Sequence, residues 1–240
     1  MLKKIFVLFL FILVSINTSV AQAKVIKDLV HHAGGDIKNT FAWWPGLIIA
    51  GGAIAAGSLV AFDNDLDGGF NSGRHLGKVD SVAKFMGQPY VLDPLALAVF
   101  GVGKIVHNED MAFTGENLFE ALLFTDALTG GLKLAFRRER PNGGNYSFPS
   151  GHAAGTFAMA TVLETLHGPW VGIPAYAVAS LISFSRIDSH DHHVSDVVFG
   201  AALGSAIGWG TAHFHKHENQ HLFFVPSVGQ TSGLTMVYKY

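Results

Sequence analysis

Long apolar runs separated by short polar breaks set the pattern of this chain. From Ala42 to Phe62, "AWWPGLIIAGGAIAAGSLVAF" passes 21 residues without a charge, long enough for a helix to cross a bilayer. Its Gly and Ala residues let neighbouring helices approach closely. Stretches rich in Ala, Leu, Val and Phe at about 92–106, 116–136, 152–167, 170–185 and 195–213 predict further helices, with Pro, Gly or clustered charge at the breaks. No series of alternating strand segments precedes residue 221, so the expected class is all-α, a bundle of about six core helices. Beyond it, alternating Leu234, Met236, Tyr238 and Tyr240 after a Gly-containing middle suggest a small C-terminal β-hairpin.

The ends of the chain divide it further. Lys3 and Lys4, an apolar run from Ile5 to about Val14 and then Ala21-Gln22-Ala23 form the layout of a cleavable export signal over residues 1–23. Residues 24–41 read as a linker or short helix, 42–213 as the helical-bundle domain and 214–240 as a tail carrying the hairpin. Export points to the cell envelope, in the inner membrane or periplasm. Lipid compatibility is uneven: Glu120 and Asp126 interrupt one helix and Glu164 and His167 lie in another, leaving 42–62 and 170–185 as the runs best suited to lipid. A soluble helical enzyme with a buried central helix would show the same profile.

Composition excludes some chemistry. The chain has no cysteine, which removes disulfides and thiolate metal sites. Loss of Lys3 and Lys4 with the signal leaves 14 basic against 18 acidic residues, so nucleic acid is not expected as a partner. The acidic, Gly-rich segment 63–77 reads as a solvated turn rather than a calcium loop, because it lacks the twelfth-position Glu. His213, His215, His217 and His221 in the tail read as a solvated helix end, with a metal site as the less favoured alternative.

Three clusters stand out against this apolar background. "KLAFRRERP" places Lys133 and Arg140 two helical turns apart on one face, with Pro141 ending the helix. "FPSGH" puts Ser150 and Gly151 in a tight turn at a helix amino terminus, where free N–H groups and the dipole favour an anion, with His152 on the first turn. In "SRIDSHDHHVSD", Arg186 lies on an approach loop, and His192 and Asp196 stand four apart, the spacing at which a carboxylate on a helix beginning near residue 192 fixes a histidine tautomer. Together they form an oxyanion trap with a nucleophile and an acid. Burying three cations without an anionic ligand would be very costly.

Lys133-x6-Arg140-Pro141, Pro149-Ser150-Gly151-His152 and Ser185-Arg186-x5-His192-x3-Asp196 resemble the three-part signature of the type 2 phosphatidic acid phosphatase family, whose fold is shared with bacterial class A acid phosphatases and vanadium-dependent haloperoxidases. The resemblance covers residues 133–196 closely. It implies a phosphohydrolase with no metal or other cofactor, acting through a phosphohistidine. His192 would be the nucleophile, Asp196 its orienting partner and His152 the proton donor. Lys133, Arg140, Arg186, Ser150 and the Gly151 N–H would hold the phosphate. The substrate would be a phosphomonoester or a lipid phosphate or diphosphate at a membrane, with the site facing the periplasm. The alternatives are a soluble periplasmic acid phosphatase, a haloperoxidase and a non-catalytic phosphate or headgroup binder. His190 and His193 match no part of the signature, and a metal reading of His190, Asp191, His192 and His193 is disfavoured by the nearby cations. Arg137 and Arg138 are expected at the rim, where they would attract substrate, or equally at a plain solvated helix end. Oligomeric state is not readable from the sequence.

Overall fold

The computed structural model describes residues 34–69, 75–218, 221–227 and 233–239. The proposed export signal and the first part of the linker lie outside the described residues, as do 70–74 of the acidic segment and the side chains of His215, His217 and His221. After a helical stretch over 34–40 come α1 (Trp43–Val60), α2 (Asp63–Gly69), α3 (Lys78–Met86), α4 (Pro89–Ile105), α5 (Glu109–Phe136), α6 (Gly151–His167), α7 (Pro169–Asp188) and α8 (Val194–Glu218). Two short strands, His221–Ser227 and Gly233–Lys239, pair antiparallel at the end of the chain. The all-α class holds, with six long helices as its body.

The six long helices alternate in direction. Asp63, just after α1, bonds to Ser195 on α8, and Gly87, just before α4, abuts His152 on α6. Those contacts put the carboxyl ends of α1, α5 and α7 beside the amino ends of α4, α6 and α8. We call this the polar end. The opposite end carries Gly103 against Ala112 and Gly172 against Glu164.

Close helix contact comes from small residues. On α8, Gly200, Gly204 and Gly208 recur every four residues and so share one face. That face meets the α6 backbone: a Cβ on Gly200 would lie 2.6 Å from the Ser150 carbonyl oxygen, and on Gly204 or Gly208 would overlap the carbonyls of Ala154 or Ala158. Leu122, Val162 and Ile207 fill the core around this seam.

The outer surface is apolar. Trp43, Ile54, Trp170 and Ile173 are among the exposed residues of α1 and α7, with Trp43 82% and Trp170 90% accessible. Three helices, α1, α7 and the Val194–Phe214 part of α8, are long and apolar enough to cross a membrane, and the bent pair α3–α4 meets the same test. Trp43, Trp44 and Trp170 all begin helices at the end opposite the polar one, the position at which Trp forms an interfacial belt.

Two sequence expectations change here. Residues 63–69, read as a turn, form α2, with Asp63 and Asp65 stabilising its first turn through the helix dipole. Segment 78–86, assigned to no element, forms the amphipathic helix α3, too short for a periodicity reading to detect.

Candidate active site

The three motif segments meet at the polar end. The first and third arrive differently from the way their spacing suggests, whereas Ser150, Gly151 and His152 stand at a helix amino terminus as expected. Helix α5 stops at Phe136, because Arg137 adopts a left-handed conformation (φ 48°) and its N–H closes on the Lys133 carbonyl. Arg140 therefore lies in the following loop, off the helix that carries Lys133. Its N–H donates to the Gly144 carbonyl at 2.7 Å and its Nε to that of Asn145 at 3.0 Å. Arg186 sits in the last turn of α7, on a helix and not on a loop, with only 1% of its side chain accessible. His192 precedes α8, which begins at Val194, and its N–H is held by the Arg186 carbonyl at 3.2 Å.

The expected pair of His192 and Asp196 nevertheless forms. His192 Nδ1 lies 3.8 Å from Asp196 Oδ2, an ion-pair distance and longer than a hydrogen bond. Ser147 Oγ is 3.4 Å from the same nitrogen and donates a very short hydrogen bond to Asp196. Nδ1 is turned toward Ser147 and Asp196, which leaves Nε2 facing the other way. Burial, then the nearby Lys133 and Arg140 charges, hold His192 down to about 4 against an ordinary 6.5, with Asp196 opposing the shift. That keeps the imidazole neutral at pH 7, the form in which a histidine is able to act as a nucleophile.

Asp196 is itself held by a network that the motif does not contain. Arg138 Nη1 donates to Asp196 Oδ1 at 2.7 Å and to Ser195 Oγ at 2.6 Å, and its Nη2 donates to Asp63 Oδ2 at 2.6 Å. Ser195 closes the ring, its hydroxyl and N–H both donating to Asp63. Asp63 and Asp196 are almost wholly buried, so the guanidinium fork neutralises two carboxylates that would otherwise repel. Arg138 thus belongs to the interior of the site and not to a rim. No local signal marks Asp63, which comes from more than 130 positions upstream of Asp196.

The second motif builds the opposite wall. Ser150 caps α6, its hydroxyl accepting from the Ala153 N–H, and its own N–H donates to the Asp196 carbonyl at 3.1 Å. Gly151 follows as the first helical residue; Lys133 Cε lies 4.0 Å from where a Cβ on it would stand. Lys133 Nζ donates to the carbonyls of Tyr146 at 2.8 Å and Pro149 at 2.6 Å, so in this structure it pins the loop leading to Ser150. His152 Nε2 lies 3.1 Å from the Lys84 carbonyl. Burial and then the Arg186 charge lower its pKa to about 4, with His192 contributing in the same direction.

Arg186 carries two carboxylates: Asp80 on Nη2 at 3.0 Å and Asp191 on Nη1 at 2.8 Å. Below them Asp188 accepts from the N–H groups of His75 and Leu76 at 2.9 and 3.1 Å, tying the α2–α3 connection to α7. Among the described residues, no group of three His, Asp or Glu side chains converges with metal-binding geometry.

Comparison with known proteins bears on this arrangement directly. Residues 116–220 match the model of the PAP2 superfamily. A lipid A 1-phosphatase of Porphyromonas gingivalis is 43% identical over 90 residues, covering 34% of this chain; the match spans only 20% of that relative's length. Two solved structures share the fold: a transmembrane PAP2-type phosphatidylglycerolphosphate phosphatase from Bacillus subtilis (TM-score 0.63, 22% identity, 72% of this chain and 96% of that one) and LpxE from Aquifex aeolicus (TM-score 0.53, 29% identity, 62% and 93%). The matched segment, under half of the chain, contains all three motif clusters, and over it the chain is similar to the PAP2 superfamily.

Proposed function

We propose that this chain is a membrane phosphohydrolase that removes phosphate from a lipid phosphate or diphosphate, through a phosphohistidine on His192 and without a metal ion. The observation that carries this reading is the neutral, buried His192, backed by Asp196 and Ser147, at an end of the bundle where Arg140 and Arg186 converge. Phosphoryl transfer asks mainly for positioning and for charge neutralisation over three oxygens. His192 Nε2 attacks phosphorus, the bond to the leaving oxygen breaks, and His152 supplies that oxygen with a proton. A bound phosphate dianion favours the charged form of His152 needed for this step. Water then attacks phosphorus, giving its proton to His152, the phosphorus–nitrogen bond breaks with its electron pair returning to His192 Nε2, and phosphate leaves. Ser150 and the Gly151 N–H complete the oxyanion cradle with Lys133.

A lipid substrate is favoured over a soluble phosphoester by the apolar outer face of α1 and α7 and by the names of the relatives, which are lipid phosphatases. The test is phosphate release from the detergent-solubilised full chain with EDTA present, on phosphatidate, a lipid diphosphate, a lipid A-type glycosyl phosphate and p-nitrophenyl phosphate. Retained activity in chelator and an acid-labile, alkali-stable phosphoprotein absent from His192→Ala are expected. Halide oxidation on adding vanadate, or phosphate binding without any turnover, would replace this reading by the haloperoxidase or the binder.

Sidedness follows from the alternation of the helices. Trp43 begins α1, whose carboxyl end lies at the polar end, so if α1 crosses, the site opens on the face opposite residue 43. Export of residues 24 onward would then place the site in the cytoplasm; a periplasmic site requires residue 43 inside. The absence of native cysteine makes single cysteines at positions 44 and 142, probed with an impermeant maleimide on intact cells, a direct discriminator.

A further inference from the structure

Asp191 lies where the family resemblance places phosphate oxygens. Arg186 Nη1 donates to its carboxylate at 2.8 Å, Asn142 Nδ2 at 3.0 Å, Lys84 Nζ at 3.1 Å and Ser189 Oγ at 3.2 Å, while Arg140 Nη1 stands 3.9 Å away. These groups come from α7, α3, the α5–α6 loop and the α7–α8 loop. Two of them, Arg140 and Arg186, are cations of the signature. Asp191 immediately precedes His192, so this carboxylate stands beside the nucleophile as well as between the cations.

The two carboxylates on Arg186 differ in setting. Asp80 is almost wholly buried and bonds to the Arg186 guanidinium. Asp191 is 13% accessible, and its other partners lie outward: the Lys84 side chain is 50% accessible. Asp80 is a fixed counter-charge, whereas Asp191 has somewhere to go.

Resting on the phosphatase reading above, we propose that the Asp191 carboxylate is an internal stand-in for the substrate phosphate: it fills the cationic pocket when no substrate is bound and yields Arg186 and Arg140 to a phosphate dianion, swinging toward Lys84 and Asn142. An empty pocket would leave the positive charge of Arg186 and Arg140 only partly compensated by Asp80, which is unfavourable. A phosphate seated between Arg140 and Arg186 with Asp191 still in place would set like charges at contact distance, which is also unfavourable. Exchange of one anion for the other avoids both. Affinity for every phosphate ligand is lowered by the cost of that exchange, and return of Asp191 helps to expel the product. The residue therefore sets how tightly this enzyme holds phosphate, separately from the residues that perform transfer.

Isothermal titration of the full chain in detergent with inorganic phosphate tests this without requiring turnover. Asp191→Asn keeps the shape and removes the charge, and should bind phosphate about tenfold more tightly than wild type, as removal of a like-charge competitor predicts. Asp191→Ala should also bind more tightly, which guards against a folding defect peculiar to one variant. Binding by wild type with equal or weaker binding by both variants would overturn the stand-in while leaving the phosphatase reading intact. Binding by none of the three would overturn both.

Discussion

Arg138→Ala separates stability from chemistry in this site. The side chain donates to Asp63, Ser195 and Asp196 at 2.6 to 2.7 Å, and its loss leaves two buried carboxylates facing each other. Breaking a fully buried pair by removing one partner costs about 3–5 kcal/mol. The Arg138 side chain is 24% accessible, so water can replace part of what is lost, and about 2–3 kcal/mol is a fair expectation. For a chain of this size that lowers the unfolding midpoint by about 5–10 °C. Asp196, no longer anchored, ceases to fix His192, and a misplacement on the order of 1 Å costs about 100-fold in rate. Adding Asp63→Asn removes one orphaned charge but does not restore the anchor, so the double variant should recover at least half of the lost stability and little of the activity. Thermal unfolding in detergent and phosphate release from p-nitrophenyl phosphate give the two readouts. Wild-type midpoint and kcat/KM in Arg138→Ala would refute the reasoning.

Other expectations follow from the same geometry. His192→Ala should abolish turnover yet retain phosphate binding by calorimetry, and residual turnover above the uncatalysed rate would remove the nucleophile from its role. Because His192 is held near 4 while an unfolded imidazole titrates near 6.5, the unfolded chain takes up a proton between those values that the folded chain refuses; stability therefore falls as pH drops from 6.5 to 4. His192→Gln should make that decline shallower in unfolding scans across the window, and an unchanged slope would contradict the assignment. Gly204→Val should force α8 off the Ala154 carbonyl and destabilise by about 1–3 kcal/mol or more, whereas exposed Gly57→Val should shift the unfolding midpoint little; equal effects would dismiss the seam. Trp43, Trp44 and Trp170 should be quenched by shallow lipid-bound labels, and quenching by aqueous iodide alone would take α1 and α7 out of the membrane.

The six long helices were legible because each is a long apolar run with a Pro, Gly or charged break, and such runs need no partner to be recognised. The motif residues were legible for a different reason: their types and intervals resemble the three-part signature of a known family. What spacing misjudged was the backbone between them. Helical periodicity placed Arg140 on the helix of Lys133, but the left-handed Arg137, four residues after Lys133, ends α5. His192 was placed on α8, whereas the turn hung on the Arg186 carbonyl delays that helix to Val194. Asp63, Asp80 and Lys84 carry no local mark, since their significance is a long-range ion pair with Arg138, Arg186 or Asp191. A tertiary contact across a hundred residues leaves no period in the chain.

At the start of α8, one residue serves both walls of the cavity: the Asp196 backbone oxygen receives the Ser150 amide while its side chain faces His192. A tilt or slide of α8 therefore carries the attacking ring and the anion cradle together, and thermal breathing of the bundle leaves their separation nearly constant. Adaptation to differently shaped substrates must then arise elsewhere along the rim of the polar end.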